Sequence, residues 1–415
     1  MTLLNEVAAT PSTATDGRLV IVPAVQLPVQ PDGQVRLTQK FLSAVQQYAA
    51  LWNGPISIVT PQRDGFDNNL DHIFLHSHEL PFTLHQGADG MDRVFQELAR
   101  DTAVVLGVLD YRQVQLADIC HRLNLPLIYI SEYTLQTRNQ IDQAECANPL
   151  RRWVRRRRET KIEKAFQYAV RNCTGMQCNG TPTFEAYSPL NKNSLLFFDS
   201  RVSADSLATD LDLQTKTAHV LKGAPLRLAF SGRLAKMKGT DHLPHIADAL
   251  RKRGVSFILD IFGAGPEESA IRQYIEKRQL NNQVHLNGTV DFAKELIPYI
   301  TRNTDLFVCC HRQGDPSCTY LETFSCATPI VGYDNEAFAG LLRQAPIGWQ
   351  VKMNDVIAMA DQIAFLDKHR DQLAAAMRAA RTFAARNTFE QTIRKRIDHL
   401  RASSRPSLRP TASPL

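Results

Sequence analysis

The sequence predicts an α/β fold with two doubly wound parallel sheets. Short apolar runs rich in β-branched residues alternate with longer amphipathic stretches over most of the 415 residues. Because alternating strands and helices form right-handed crossovers, we expect parallel strands in sheets that are covered on both faces. A chain of this length has room for two or three domains of about 100 to 200 residues each. The alternation pauses near residues 203–224, which places one sheet on either side of that stretch.

The elements follow in order along each half. In the first half we predict strands in RLVIVPAV, PISIVTP, AVVLGVLD and LPLIYIS, and helices in VRLTQKFLSAVQQYAALW, MDRVFQELARDT and RQVQLADICHRLN. The second half has strands in LRLAFSG, FILDIFGAG, VHLNGTV, DLFVCCH and PIVGYD, with helices in HLPHIADALRKRG, PEESAIRQYIEKRQL and KELIPYITRN. An Ala-rich helical pattern and FEQTIRKRIDHL close the series, with a break near Asn387 and Thr388.

This pattern predicts the domain organisation. We expect a flexible N-terminus over 1–16, an N-terminal domain over 17–205, a linker over 206–224, a C-terminal domain over 225–386, and a terminal helix over 387–402 that could cross back to the first domain. The tail over 403–415 is rich in Pro, Ser and Arg and offers almost nothing to bury, so we expect it to be disordered.

The composition, with 44% apolar and 22% charged residues, is ordinary for a soluble globular protein. A formal charge of +6 suits anionic ligands or an anionic membrane surface. No apolar run approaches the roughly 18 residues of a membrane-spanning helix, and the N-terminus lacks the pattern of a secretory signal. We therefore expect a cytoplasmic protein, with a peripheral position at the inner face of the membrane as a second possibility.

Cysteine and histidine spacing gives no sign of a metal site. The eight cysteines contain no CxxC pair, which favours reduced thiols over disulfides or metal ligands. His72, His76 and His78 lie close together, but no cysteine or carboxylate cluster at ligand spacing accompanies them. We predict that the protein binds no metal.

The segment Arg151–Lys161, RRWVRRRRETK, holds seven basic residues in eleven. Trp153 and Val154 lie beside Arg155–Arg158, a pattern that suits the headgroup region of an anionic membrane. A solvated helix face is the alternative interpretation. Nucleic-acid binding is disfavoured, because aromatic residues are not interleaved with the arginines as stacking platforms.

Ligands of open α/β sheets bind beyond the carboxyl ends of the strands, and four loops in the second half stand out there. The first, SGRLAKMKG, places Arg233 and Lys238 between Gly232 and Gly239. Two cations held in that loop could neutralise a diphosphate, the arginine by its fork and the lysine as a point charge. A solvated basic loop is the alternative.

Two further loops are glycine-containing strand ends. In FGAGPEES, Gly263 and Gly265 would let the backbone approach a ligand closely, and Pro266 would start a helix. The third glycine of the dinucleotide fingerprint is missing, so nicotinamide binding is poorly supported. In HLNGTV, Thr289 and Val290 could present backbone groups to a base, and an ordinary tight turn is equally compatible with the pattern.

The fourth loop, QGDPSCTYLETF, follows the buried strand DLFVCCH. Asp315 reads as the N-cap of a helix and Pro316 as its first residue, so the free N–H groups of the first turn would favour an anion. Glu322, on the same face, could accept hydrogen bonds from a ribose diol. A purely structural cap is the alternative. The first-turn residues are Ser317, Cys318 and Thr319.

In this order, the four loops resemble the nucleotide-sugar-binding half of retaining GT-B glycosyltransferases, specifically glycosyltransferase family 4. The likeness covers about residues 226–360, in SGRLAKMKG, FGAGPE, LNGTV and LETFSCATPIVG. It implies two Rossmann-like domains that face each other across a cleft. It also implies transfer of a sugar from a nucleotide-diphosphate sugar, with retention of anomeric configuration and without an obligatory metal or other cofactor.

The resemblance assigns Arg233 and Lys238 to the donor diphosphate and Glu322 to the ribose. The N-terminal half is similar to the family only in outline. There, Gly33 would face the donor phosphate and Lys40 the cleft. Glu132 follows a strand at about the place of an acceptor-side histidine in the family, although an ordinary strand-end carboxylate is at least as well supported.

One departure from the family concerns the donor sugar. Gly314 stands eight residues before Glu322, where the family has a glutamate that holds the sugar hydroxyls. That contact is therefore missing, or Asp315 or Gln313 supplies it. Ala327 also replaces a usual glycine, which affects packing only.

The implied partners are a nucleotide-sugar donor and a saccharide or polyprenyl-linked acceptor, in surface polysaccharide or glycoconjugate biosynthesis. Because Gly314 departs from the motif, a rival interpretation remains open. In that alternative, the GT-B fold binds, epimerises or hydrolyses a sugar nucleotide without transferring the sugar to an acceptor.

Overall fold

The computed structural model describes residues 16–60, 72–87, 90–145 and 148–405, and the side chains of Lys40 and of residues 143–145 are not among those described. The predicted flexible N-terminus and disordered tail lie almost entirely outside the described residues, as does the proposed orientation of the Lys40 side chain.

Strands and helices alternate as the sequence predicts. The strands are β1 (Arg18–Ile21), β2 (Gln34–Thr38), β3 (Ile56–Thr60), β4 (His72–His76), β5 (Thr83–Gln86), β6 (Thr102–Val108), β7 (Leu127–Ser131), β8 (Gly175–Asn179), β9 (Ser194–Phe197), β10 (Leu226–Ser231), β11 (Phe257–Phe262), β12 (Val284–Gly288), β13 (Leu306–Cys309), β14 (Ile330–Tyr333) and β15 (Gly348–Val351).

The helices of the first half are α1 (Gln39–Leu51), α2 (Met91–Leu98), α3 (Leu116–Arg122), α4 (Leu135–Glu145), α5 (Pro149–Asn172) and α6 (Gly180–Tyr187). Those of the second half are α7 (Asp210–Leu221), α8 (Leu243–Lys252), α9 (Glu268–Lys277), α10 (Ile297–Asn303), α11 (Cys318–Ser325), α12 (Glu336–Gln344), α13 (Val356–Lys368), α14 (Arg370–Ala385) and α15 (Phe389–Ser403).

The chain forms two compact units. Unit 1 extends to Tyr129 and includes residues 172–174 and the chain from Ile397 onward. Its main sheet follows the strand order β5-β3-β1-β6-β7, and β1 pairs in parallel with both β3 and β6. A separate antiparallel pair joins β2 to β4. The sequence analysis missed that pair, because it assigned the residues of β2 to a loop and the start of helix α1.

Unit 2 comprises Ile130–Arg171 and Gly175–Arg396. It contains the parallel pair β8–β9 and a six-stranded sheet in the order β12-β11-β10-β13-β14-β15. Neighbouring strands of that sheet pair in parallel. The chain order reverses between β10 and β13, so the loops that follow these two strands meet at the topological switch point.

The core of unit 2 explains the apolar strand runs of the second half. Leu306, Phe307 and Val308 of β13 are fully buried, and Phe307 stacks against Phe230 of β10 with ring centroids 6.0 Å apart. A strand buried on both faces reads as a continuous apolar run, as DLFVCC does. The same burial accounts for Cys309 and Cys310, and the seven described cysteines are all free.

The segment predicted as a linker contains an unpredicted helix, α7. A capping box at its start, between Thr209 and Asp212, fixes the first turn. Lys216 of α7 is fully buried, and its ammonium donates to the carbonyl of Cys326 (2.7 Å) and to Thr328 Oγ1 (2.5 Å). The helix is thus attached to the chain that follows α11. The predicted domain boundaries remain predictions.

Among the described residues, none of the helices combines the length and the apolar character that crossing a membrane would require.

Candidate active site

The candidate site is built at the carboxyl ends of β10 and β13. Gly239 follows β10 with φ 65°, and a Cβ at that position would lie 2.0 Å from the carbonyl oxygen of Cys310. Only glycine permits this close approach of the two loops. Arg312 strengthens the junction by donating to the carbonyl of Lys236 (2.7 Å) and to Asp241 (2.8 Å).

Lys238 and Asp315 are brought together by this junction. Their Nζ and Oδ2 atoms lie 3.3 Å apart, and both side chains are mostly buried. The second oxygen of Asp315, Oδ1, is buried without a hydrogen-bond partner among the described residues. The cation predicted to hold a diphosphate is therefore already beside a carboxylate of the adjoining loop.

The prediction that Asp315 caps the helix and Pro316 opens it is wrong. Helix α11 begins at Cys318, and its N-cap is Ser317, in an extended conformation and without a side-chain cap bond. The N–H of Ser317 donates to the carbonyl of Asp315 at 2.8 Å, so the first helical turn begins only after Ser317. The Asp315 carboxylate meanwhile pairs with Lys238. Cys318 and Thr319 remain at the helix start, where N–H groups lack intrahelical partners.

Glu322 lies on α11 and its side chain is largely buried. Its Oε1 accepts two hydrogen bonds from Arg201, from Nε at 3.0 Å and from a terminal nitrogen at 2.8 Å. The guanidinium of Arg201 also lies over the Phe292 ring, 4.3 Å from its centroid. The predicted ribose-binding carboxylate thus has a protein partner that the sequence analysis did not identify.

Arg233 is an exposed cation of the loop after β10, as is Lys236. Within the described part of the chain, Arg233 has no hydrogen-bond or ion-pair partner. Its neighbour Leu234 is completely buried, so the backbone of the loop is anchored while the guanidinium is available to a ligand.

The glycines of the second loop have a structural role. A Cβ on Gly263 would lie 2.0 Å from the carbonyl oxygen of Gly232, and one on Gly265 would lie 2.4 Å from that of Leu234. These glycines therefore accommodate the neighbouring loop, and their proposed contact with a donor stays a prediction. Val290, predicted to contact a base, is partly buried against the core of unit 2.

Glu132, the predicted acceptor-side residue, directly follows β7. Its Oε2 accepts a hydrogen bond from the side-chain amide of Asn179 at 2.9 Å. An ordinary strand-end carboxylate without a catalytic role would also make such a contact. The adjoining Tyr133 has its pKa raised by burial and, to a smaller extent, by the charges of Glu132, Asp315 and Cys318. Tyr133, the neighbour of Glu132, is therefore close enough to Asp315 to be affected by its charge.

Gly314 occupies the place of the missing family glutamate, in the middle of a well-anchored loop. Its N–H donates to Gln140 Oε1 at 2.9 Å, and its carbonyl accepts from the hydroxyl of Thr137 at 3.3 Å. Of the two substitutes considered from the sequence, Asp315 pairs with Lys238, and Gln313 has a buried side-chain oxygen without a partner among the described residues.

Gly33 lies in unit 1, in the turn before β2. Its φ is 84°, which favours glycine, and the space around it is open. The turn serves the antiparallel β2–β4 pair, and the predicted contact of Gly33 with a donor phosphate remains untested.

In the described ranges, no group of three or more His, Cys, Asp or Glu side chains is placed so that it could hold a metal ion.

Comparison with known protein families gives a match to part of the chain. Residues 214–383 match the family described as glycosyl transferases group 1, and this range contains Arg233, Lys238 and Glu322. The predicted resemblance to GT-B glycosyltransferases is confirmed at this level.

Two relatives illustrate the sequence likeness of this chain. The putative colanic acid biosynthesis glycosyltransferase WcaL of Salmonella typhimurium is 26% identical over 48% of this chain and 50% of its own length. The protein of the same description from Escherichia coli is 27% identical over 42% of this chain and 45% of its own length. The chain thus matches about half the length of these curated relatives.

Solved structures show the fold over nearly the whole chain. Anabaena HepE in complex with UDP has a TM-score of 0.62 at 14% identity and covers 93% of this chain and 100% of its own. WaaG, a glycosyltransferase involved in lipopolysaccharide biosynthesis, has a TM-score of 0.55 at 12% identity and covers 92% and 99%. The predicted α/β class, with parallel sheets of the GT-B type, is confirmed.

Proposed function

We propose that this protein transfers a sugar from a nucleotide-diphosphate sugar to a saccharide or lipid-linked acceptor in the synthesis of a surface polysaccharide or glycoconjugate. The group 1 match and the WcaL relatives support the reaction class. The proposal includes retention of the anomeric configuration and no requirement for a metal.

The observation that carries this proposal is that the predicted donor-binding residues come together where the loops after β10 and β13 meet. Arg233 is an exposed cation without a partner among the described residues, and Lys238 lies in the same loop. Lys238 pairs with Asp315, which lies three residues before the first residue of α11. Glu322 lies on α11, four residues after its first residue, Cys318. Two cations and a helix start suit a diphosphate, and a carboxylate on the same helix suits a ribose.

These groups would act mainly on the leaving group. When the bond from the sugar to the diphosphate breaks, negative charge grows on the diphosphate oxygens. Cations and N–H groups already in position stabilise that charge more than the ground state, which accelerates the reaction. The acceptor hydroxyl would attack from the face that the diphosphate leaves, and anomer-resolved NMR of the first product would test this retention.

The decisive experiment compares two arginine variants. Arg233→Ala removes an exposed cation of the loop after β10 and should lower kcat/KM about 100- to 1,000-fold, as loss of a preorganised charge contact does. Arg378→Ala is the matched control, because Arg378 is an exposed arginine in the middle of helix α14 and not in a loop that follows a strand. Near-normal transfer by a folded Arg233→Ala protein would refute the assignment.

Binding of the donor can be tested without knowing the acceptor. A panel of UDP-, GDP- and ADP-sugars should contain one that stabilises the protein by about 2.7 kcal/mol at 100 times its Kd. We place UDP-sugars first, because structurally similar HepE was solved with UDP and with UDP-glucose. A lack of stabilisation by every member would count against the proposed function.

A second candidate function rests on Gly314. Without a side chain at this position, the protein could bind a sugar nucleotide and hydrolyse or epimerise it without an acceptor. Product analysis separates the two functions: transfer requires an acceptor and yields a glycoside, whereas hydrolysis or epimerisation proceeds with the donor alone.

We also propose that the first half of α5 contacts an anionic membrane. Residues 151–158 are all exposed, and the apolar side chains of Leu150, Trp153 and Val154 are 70%, 51% and 55% exposed. Exposed apolar groups beside a row of arginines suit the headgroup region, where each basic residue contributes about 1 kcal/mol near the surface.

Vesicle sedimentation tests this surface. Arg151→Gln/Arg152→Gln should reduce binding to phosphatidylglycerol vesicles by tenfold or more, since about 2 kcal/mol is removed. The matched control, Arg378→Gln/Arg394→Gln, removes the same charge from exposed positions on α14 and α15. Equal loss in both variants, or equal binding to phosphatidylcholine, would exclude a specific surface on α5.

A further inference from the structure

The space that a side chain at position 314 would need is occupied by Glu336. A Cβ on Gly314 would lie 3.1 Å from the Cβ of Glu336 and 3.1 Å from its Oε2. The carboxylate of Glu336 is thus beside the point from which the family's glutamate side chain would start.

The position of Glu336 is fixed by its neighbour. Glu336 is the first residue of α12, and Asn335 caps this helix by accepting a hydrogen bond from the N–H of Phe338 at 2.9 Å. The amide group of Asn335 also donates to the carbonyl of His311 and to the hydroxyl of Tyr320, both at 3.1 Å. The start of α12 is therefore attached to the end of β13 and to α11, the elements that flank Gly314.

The carboxylate of Glu336 has an unused acceptor. Its Oε2 is buried and has no hydrogen-bond partner in the described parts of the chain. Burial, and then the charge of Glu185, raise the pKa of Glu336 above its usual range. A buried carboxylate oxygen without a donor is uncommon, and a ligand hydroxyl would satisfy it.

Asp315 and Gln313 are weaker substitutes on geometric grounds. Asp315 also has a buried oxygen without a partner among the described residues, Oδ1, but its carboxylate is held by Lys238 at 3.3 Å, which leaves it less able to turn toward a sugar. Gln313 has a buried unpartnered oxygen, but its amide carries no charge to strengthen a hydrogen bond to a hydroxyl. Of these three residues, Glu336 is the one whose carboxylate lies where the missing side chain would start.

We propose that Glu336 holds the hydroxyl groups of the donor sugar in place of the glutamate that is missing at position 314. The inference rests on the proposed transfer from a nucleotide sugar and names the residue that reads the sugar. In the folded chain a glutamate at position 314 and one at position 336 would compete for the same space, so the chain keeps one of them.

The first test separates the sugar from the nucleotide. Glu336→Gln and Glu336→Ala should weaken binding of the intact sugar nucleotide and lower kcat/KM about 10- to 100-fold, the effect of losing a charged hydrogen bond. Binding of UDP alone should be unchanged. Glu185→Gln is the control, since it removes a nearby carboxylate that pairs with Arg343 and should leave sugar binding intact.

The second test moves the carboxylate. Gly314→Glu alone should reduce activity, because the new side chain meets Glu336 at 3.1 Å. The double variant Gly314→Glu/Glu336→Ala removes this clash, and since Gly314 does not have a positive φ, its backbone accepts a side chain. We expect the double variant to recover at least tenfold activity over Glu336→Ala, a gain that a purely structural role for Glu336 would not produce.

The outcomes discriminate between this inference and the proposed function. Unchanged transfer and sugar-nucleotide affinity in folded Glu336→Ala would overturn the inference and leave the function standing. An equal loss of affinity for UDP and for the sugar nucleotide, or no recovery in the double variant, would also overturn it. A wild-type protein that binds no nucleotide sugar would overturn both.

Discussion

Lys238 Nζ lies 3.3 Å from Asp315 Oδ2, so the lysine that the loop sequence assigned to the donor is paired with the aspartate that was assigned to a helix cap. The pair links the two loops at the switch point of the sheet. It also gives each residue a testable role that differs from the simplest interpretation of the sequence.

Asp315→Asn and Asp315→Ala should have nearly the same stability. Both break the pair with Lys238, and neither removes a cap, because Ser317 is the N-cap of α11. Their free energies of unfolding in urea should agree within about 0.5 kcal/mol. A true N-cap would make the alanine variant about 1 kcal/mol less stable than the asparagine variant, and that difference would restore the cap interpretation.

Lys238→Ala should weaken UDP binding about 10- to 100-fold, because a charge-assisted contact to the diphosphate is lost. Calorimetric titration at two salt concentrations would measure this, with Lys236→Ala as the control. Lys236 is an exposed lysine in the same loop. If Lys236→Ala lost as much affinity as Lys238→Ala, the loop would act through its net charge and no specific lysine contact would be needed.

Glu322→Ala and Arg201→Ala should affect nucleotide binding differently. Glu322→Ala removes the carboxylate proposed for the ribose, and we expect UDP affinity to fall about 10- to 100-fold. Arg201→Ala removes the guanidinium that now occupies Oε1 of that carboxylate, so affinity should not fall. An equal loss in both variants would place Arg201 itself in the nucleotide site.

Stability should rise with pH above neutrality because of Lys216. Burial lowers the pKa of Lys216 from 10.5 to about 7 in the folded protein. Between these values the unfolded chain binds more protons than the folded chain, so the free energy of unfolding increases with pH, by at most about 1.4 kcal/mol per pH unit.

Urea unfolding at pH 7, 8 and 9 would measure this slope. From about pH 8 upward, buried cysteines such as Cys309, whose pKa burial raises from 9.0 to about 11, contribute in the opposite direction, so the difference in slope between the wild-type protein and a Lys216 variant carries the prediction. Lys216→Met should flatten the slope between pH 7 and 9, although it also loses the hydrogen bonds to Cys326 and Thr328. Identical slopes in the two proteins would show that Lys216 is not the titrating group.

Gly239→Ala should destabilise the protein more than Gly254→Ala. Both glycines have a positive φ, 65° and 73°, so each variant pays about 1 kcal/mol of backbone strain. A Cβ on Gly254 meets nothing within 4 Å, whereas one on Gly239 meets the carbonyl of Cys310 at 2.0 Å. If urea unfolding showed the same loss of unfolding free energy in both variants, the loop after β10 would be able to move away from Cys310 without an energetic cost.

The motif-bearing loops could be predicted from the sequence because their chemistry is local. Strand ends are marked by apolar runs, and Arg233 and Lys238 follow β10 within seven residues of its end. The exact start of α11 was predicted too early, because the hydrogen bond between Ser317 and Asp315 and the Lys238 pair compete with the cap. Such competition depends on a residue 77 positions away.

Sequence alone determined the alternation of strands and helices, the two parallel sheets and the order of the four donor-side loops, since periodicity and turn residues act over a few positions. Only the tertiary structure decided which side chains meet. Arg201 reaches Glu322 across 121 positions of the chain, and Glu336 fills the space beside Gly314. The folding of β13, α11 and α12 against one another sets the second contact, and the position of the segment between β9 and α7 against α11 sets the first. No local pattern encodes either contact.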